Sequence, residues 1–378
     1  MSNITKRIAN GKTKEVYETT DPNTVAFLQK KTSVTADGTT TVDADGIHAD
    51  MLVGYLLAQN DHIFSFLNAL GIPTTFKCLE NNYLFHEACE PLSLEFVYRG
   101  SLCNGSSIIA RQPEKYGAPI GWSGENYSTD TAHTRFFGAD GVVIPLDTPV
   151  LETFHKRSLV QSENGGVQMI PESQAVTNPR YFENGKMTEF MHADPILIAP
   201  KGMSDIWMVF DQKSVLEPQN CLSIIGRSDK MLYSPDDNHQ QMADTDTVSR
   251  ADETALQQQT LDIMRAIDMA CKNTMFKKAG FADDGRIVFG EDLGYATIID
   301  GKCEFGRMAD GTYKLTDDMV SDNMRMAFNG KPSVSLKRTF QNYNSFEQKL
   351  MIAATFAEGT SIWKNQGFIR NIKEKLGR

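Results

Sequence analysis

Apolar residues recur at helical spacing from Ile47 to Leu70, through Met51, Leu52, Tyr55, Leu56, Phe64 and Leu67, and the run stops at Gly71-Ile72-Pro73. That period predicts a helix with one face in a core. On either side the pattern shortens. Lys6 to Leu28 reads as strands around a turn at Asp21-Pro22-Asn23, and two further strands are predicted near Thr74 to Leu79 and Tyr83 to His86, joined by Asn81-Asn82. The polar stretch Thr32 to Asp45 reads as a loop, and Leu92 to Tyr98 as another strand. Leu256, Met264, Ile267, Cys271 and Met275 mark one face of a long helix from Arg250 to Lys278, with Gly280 as its C-cap. Strands and loops follow to Asp318, and Phe346 to Leu376 is again helical. Strands and helices do not alternate regularly, so the class predicted is α+β rather than a doubly wound sheet.

A chain of 378 residues exceeds the size at which one core usually stops growing, so two lobes are expected. The division predicted is residues 1–90 and 91–378. Short apolar runs such as Pro195 to Ile198 and Ile206 to Phe210 lie between 164 and 247, a stretch that carries no legible chemistry. The formal net charge of −10 argues against broad nucleic-acid binding, which needs a basic face, but leaves room for small anions in a locally basic pocket. No apolar run is long enough to span a bilayer and no apolar signal core opens the chain, so no membrane role and a cytoplasmic location are expected. Six cysteines without a C-x-x-C pair suggest neither a disulfide framework nor a zinc knuckle.

The most informative segment is Asp300-Gly301-Lys302-Cys303-Glu304-Phe305-Gly306, followed by Asp310-Gly311 and Tyr313 to Asp318. Alternation on a strand puts Asp300, Lys302 and Glu304 on one side. If Asp310-Gly311 forms a two-residue hairpin turn, Glu304 faces Asp317 directly. Opposed like charges destabilise a sheet by up to about 1 kcal/mol, a penalty that a shared divalent cation would remove. A solvated acidic hairpin neutralised by Lys302 fits the segment equally well.

The same residues resemble the SAICAR synthase family, whose strand D-x-K-x-E-F-G is followed by a turn and D-E-x-x-x-D-x-x-R, here Asp317-Asp318 through Asp322 to Arg325. Leu94-Glu95-Phe96-Val97-Tyr98-Arg99 with Gly105-Ser106-Ser107 is similar to the family's L-E-V-V-V-R and its following G-S, although Asn104-Gly105 alone also reads as a hairpin turn. Gly11-Lys12-Thr13-Lys14-Glu15-Val16-Tyr17 resembles its G-K-x-K-x-[VI]-Y opening, and Thr148 to Lys156 its T-P-x-x-E-F-Y-Y-K. The matches keep family order. They fail from 164 to 247, which looks inserted or divergent; the Asp-Pro expected after Lys156 is missing, and Ala327 stands where the family often has tryptophan.

The resemblance implies a two-lobed α+β fold, a small β-rich N-terminal lobe and a larger mixed lobe with ATP in the cleft. It implies a ligase of purine biosynthesis that condenses carboxyaminoimidazole ribonucleotide (CAIR) with L-aspartate, using ATP and magnesium. In that reading Glu304 and Asp317 carry magnesium and Lys302 lies near the transferred phosphoryl group. Gly11, Lys12, Lys14 and Glu95 serve ATP. Arg99, Ser106, Ser107, Lys156, Asp322 and Arg325 serve the substrate. Two other readings remain open: a small-molecule kinase on the same scaffold, which would need no aspartate, and a catalytically silent nucleotide-binding protein. Neither the oligomeric state nor proton chemistry at His86 or His155 is legible, and both histidines read as satisfied or exposed imidazoles.

Overall fold

The computed structural model describes residues 3–11, 13–34, 40–42, 47–102, 144–155, 158–161, 167–170, 180–183, 186–189, 248, 250–328 and 345–378. The class is α+β, as expected. The chain divides into two compact units, Met1–Glu90 with Asp262–Arg378, and Pro91–Leu261. In this division residues 262–378 belong with the N-terminal residues. The runs at 195–198 and 206–210 lie outside the described residues.

In the first unit, β1 (Ile4–Asn10), β2 (Lys14–Thr19), β3 (Thr24–Gln29), β6 (Phe76–Glu80) and β7 (Tyr83–Glu87) form one antiparallel sheet in the order β1-β2-β3-β7-β6. Between β3 and β6 comes α1 (Ile47–Ala69), with Leu52, Leu56, Phe64 and Leu67 buried as their spacing requires. Each such side chain contributes roughly 1.5–3 kcal/mol of burial. The stretch expected as a loop from Thr32 to Asp45 contains two short paired strands, β4 (Thr32–Val34) and β5 (Thr40–Val42), because its β-branched threonines and valines suit a ladder.

The long helix ends sooner than its periodicity suggested. Helix α2 spans Arg250–Cys271, and Thr274 holds the exit by bonding the Ala270 carbonyl (2.8 Å) and receiving Trp363 Nε1 (2.8 Å). Residues expected to continue the helix to a cap at Gly280 form β14 (Phe276–Phe281) instead, paired antiparallel with β15 (Ile287–Gly294). The next strands are β16 (Ala296–Arg307), β17 (Tyr313–Thr316) and β18 (Met324–Phe328), with β16 bonded to both β17 and β18. The C-terminal section is α3 (Ser345–Thr360), a 3-10 turn (Ser361–Lys364) and α4 (Gln366–Leu376). Helix α1 packs along α3, and Trp363 is fully buried beside Phe66 and Phe356.

In the second unit β8 (Glu90–Leu102) pairs antiparallel with β9 (Ile144–His155). Two short hairpins follow, β10 (Ser158–Gln161) with β11 (Val167–Ile170), and β12 (Arg180–Glu183) with β13 (Lys186–Glu189). Among the described residues no helix is long and apolar enough to cross a membrane.

Candidate functional site: an acidic loop after a corrected hairpin

The register of β16 on β17 places Glu304 opposite Thr316 and Arg307 opposite Tyr313. The expected opposition of Glu304 and Asp317 is therefore corrected by one residue. Its cause lies in the turn. Met308 N donates to Thr312 O (2.8 Å) and Gly311 N to Met308 O (2.9 Å), while Gly311 sits at φ +83°. That is the three-residue loop in which glycine takes the left-handed last position, not the two-residue turn that Asp-Gly also signals. The Asp310 carboxylate fastens it by accepting from Thr312 N (2.9 Å) and Thr312 Oγ1 (2.6 Å), which hold that carboxyl below its usual pKa.

Glu304 is nearly buried, and Lys302 Nζ lies 3.2 Å from its Oε1, so the expected sharing of a strand face by these two holds. Asp317 begins a loop just past β17, with its backbone at φ +65°. Non-glycine residues adopt that region at a cost and cluster in it at functional sites. From β2, Lys14 donates to Asp317 Oδ1 and stands 3.4 Å from Asp318 Oδ2. Its ammonium also lies 4.8 Å from the centroid of the Phe27 ring. One cation thus faces two consecutive carboxylates in a half-buried setting.

The loop is pinned from two sides. Asn60 and Gln59, both fully buried on α1, reach it with their amides. Asn60 Nδ2 donates to Asp318 Oδ1 (3.2 Å), and Asn60 Oδ1 accepts from Met319 N (2.7 Å). Gln59 Oε1 accepts from Ser321 N (2.7 Å), and its Nε2 donates to Ala353 O on α3 (2.8 Å). Inside the loop Asn323 Nδ2 donates to Asp318 O (2.6 Å). On the strand side, the Thr75 hydroxyl lies 3.2 Å from Thr316 Oγ1 and 2.9 Å from His86 Nδ1. Burial, and secondly the Lys14 charge, push the His86 pKa down to about 3. The imidazole is therefore neutral at pH 7, stacked on Phe27 at 4.4 Å, with Nε2 lacking a hydrogen-bond partner among the described residues.

Arg325 makes a two-pronged contact with the nearly buried Asp300: Nε donates to Oδ1 (2.7 Å) and Nη2 to Oδ2. Asp322 Oδ2 lies 3.4 Å from Lys349 Nζ. Gly11 N donates to Lys14 O (2.9 Å), closing the turn between β1 and β2. In the second unit Arg99 is buried opposite Val150, and Glu95 is half-buried opposite Phe154. Lys12, Ser106, Ser107 and Lys156 lie outside the described residues. The structure thus brings Lys14 to Asp317 and Lys302 to Glu304. Sequence reasoning missed Gln59, Asn60 and Thr75. The one available signal was a pair of adjacent amides interrupting the apolar run of α1.

Carboxylate oxygens are hard ligands of the kind magnesium takes. Among the described residues no group of three or more His, Cys, Asp or Glu could hold a metal ion. Magnesium is usually bound by one or two carboxylates with phosphate oxygens and waters, so the consecutive carboxylates Asp317 and Asp318 have a suitable chemistry without a third side chain, whereas Glu304 stands opposite Thr316 and is met by Lys302.

Residues 7–162 match the model of a protein family. That family is SAICAR synthetase, whose family model matches this stretch of the 378-residue chain, from Gly11 and Lys14 through Arg99 to Lys156. Lys302, Glu304, Asp317, Asp322 and Arg325 lie beyond the match. No individually curated protein matches the chain. Among solved structures, phosphoribosylaminoimidazole-succinocarboxamide synthase from Ehrlichia chaffeensis is 13% identical, covering 94% of this chain and 99% of that one at a TM-score of 0.49. A SAICAR synthetase in complex with ADP is 16% identical, with 90% and 93% covered and a TM-score of 0.48. SAICAR synthase from Saccharomyces cerevisiae, complexed with SAICAR, is 11% identical, with 99% and 95% covered and a TM-score of 0.45.

Proposed function

We propose that the chain is an ATP- and magnesium-dependent ligase that condenses CAIR with L-aspartate to give SAICAR, ADP and phosphate. The observation that carries this reading is the SAICAR synthetase match over residues 7–162, which contains Lys14, together with the approach of Lys14 to Asp317 and Asp318. Those carboxylates lie outside the matched stretch, so the contact supports the reading independently of it.

The chemistry follows from the substrates. A carboxylate resists attack by an amine because it is anionic and would have to expel oxide. When a carboxylate oxygen of CAIR attacks the γ-phosphorus of ATP, ADP leaves and an acyl phosphate forms. The aspartate amine then attacks the acyl carbon, phosphate leaves with the former carboxylate oxygen, and the amine loses a proton. No protein nucleophile is needed, so the protein contributes position and charge.

In this reading Lys14, with Gly11 and Lys12 in the same turn, meets ATP phosphates, and Glu95 orients groups about the nucleotide. Glu304 and Asp317 hold magnesium, which when bound neutralises phosphate charge. Lys302, tied to Glu304, stands near the transferred phosphoryl group. Arg99, Ser106, Ser107, Lys156, Asp322 and Arg325 serve the ribonucleotide. Arg325 would do so while oriented by Asp300, which fixes the guanidinium plane. The partners are small molecules and the location cytoplasmic.

The test is incubation with ATP, magnesium, CAIR and aspartate, each omitted in turn. ADP and an amide product in equal amounts, both dependent on aspartate, are expected. ADP formation indifferent to aspartate, with no amide product, would overturn the reading.

A further inference from the structure

We propose that Asn60 and Gln59 of α1 are positioning residues for the reaction, acting through the loop that carries Asp317 and Asp318. The functional half of this inference rests on the ligase reading; the structural half does not. Within the first unit this loop leaves β17 at Thr316 and returns to β18 at Met324, so its backbone has no ladder to satisfy it. Buried backbone N–H groups must still find acceptors. Met319 N and Ser321 N find theirs in Asn60 Oδ1 and Gln59 Oε1, each at 2.7 Å.

These two amides do more than fill that need. Their second ends are also committed, Asn60 Nδ2 to the Asp318 carboxylate and Gln59 Nε2 to Ala353 O. Helix α1 therefore holds the loop backbone and one of its carboxylates at once, and is itself fastened to α3. A hydrophobic pair at these helix positions would bury equally well but would leave Met319 N and Ser321 N without acceptors. Buried amides engaged at both their nitrogen and their oxygen favour one geometry, and that geometry sets where Asp318 faces Lys14. The Ser321 hydroxyl, buried and without a partner among the described residues, shows that the loop is held through its backbone rather than through that side chain.

The experiment has two readouts on Asn60→Ala and Gln59→Ala. Amide hydrogen exchange, measured on the full chain without substrates, tests the clamp alone. Exchange is expected to rise at least about 10-fold at Met319 in Asn60→Ala and at Ser321 in Gln59→Ala, each with little effect on the other amide. Steady-state kinetics test the functional half. Asn60→Ala is expected to raise the half-maximal magnesium concentration and the KM for ATP by about 10-fold, more than kcat falls, because a misplaced Asp318 weakens the metal-nucleotide site. If Asn60→Ala does not fold, Asn60→Asp carries the kinetic half alone, since it keeps the acceptor for Met319 N, where exchange should stay low, and removes the amide donor to Asp318, while Gln59→Ala carries the exchange half. Unchanged exchange overturns the clamp. Raised exchange with an unaltered magnesium requirement and KM overturns the positioning role and leaves a purely structural one. A wild-type chain that consumes no ATP, with exchange behaving as expected, would instead count against the ligase reading.

Discussion

Two hairpins of the first unit, β6–β7 and β16–β17, were announced by dipeptides of the same kind, and only one turned as its dipeptide suggested. Asn81 and Asn82 both adopt left-handed backbones, φ 50° and 66°, and Glu80 pairs with Tyr83 across a two-residue turn. Asp310-Gly311 instead supplies the last two residues of a three-residue loop. One added residue moved Glu304 from Asp317 to Thr316. A dipeptide locates a turn, but loop length decides which side chains meet. The consequence differs too: the first hairpin feeds a packed core around His86, and the second releases Asp317 into a loop that meets Lys14.

If that contrast is right, substitutions at the end of β17 should cost activity and those around β6–β7 should cost stability. The largest effect is expected from Lys14→Ala and from Asp317→Asn. Each should lower ATP turnover by about 100-fold or more while far-UV circular dichroism stays unchanged, since each removes a charge aimed at the phosphates or their metal. Undiminished turnover in a folded variant would break the comparison.

Next comes His86, whose pKa lies below its unfolded value. The unfolded chain then binds the proton first, so the stabilisation is fully present above about pH 6.5 and is lost as the pH falls from there toward 3, at up to about 1.4 kcal/mol per pH unit. Urea denaturation at a series of pH values checks this, and His86→Gln should flatten that part of the profile.

Smaller again, Gly311→Ala should destabilise by about 1 kcal/mol, read from the denaturation midpoint, because a Cβ at φ +83° is strained even though it meets no atom within 4 Å. Smallest, Asn82→Gly should raise stability by no more than about 0.5 kcal/mol, since glycine suits the second position of that turn, and should leave turnover unaltered.

Much of the fold was legible because its signals are local. The apolar stripe from Met51 to Leu67 needs nothing beyond α1 to be seen, and the strands of the N-terminal sheet fall within a few residues of their expected limits. The end of α2 was not legible: Met275 continues the helical spacing, yet the chain leaves the helix after Cys271 to pair Phe276–Phe281 with β15. That outcome depends on a partner strand and on Trp363, a residue far along the chain. The site divides the same way. Lys302 beside Glu304 follows from strand alternation. Lys14 with Asp317, Asp300 with Arg325, and Asn60 with Asp318 are contacts between distant segments: the acidic hairpin itself drew notice to Asp300, Asp317 and Asp318, only the resemblance to Lys14 and Arg325, and nothing to Asn60.

The most direct test of the ligase chemistry is isotopic. CAIR labelled with oxygen-18 in its carboxylate, incubated with the chain, ATP, magnesium and unlabelled aspartate, should yield phosphate carrying one labelled oxygen for each amide formed. Amide product accompanied by unlabelled phosphate would contradict an acyl phosphate and with it the proposed reaction.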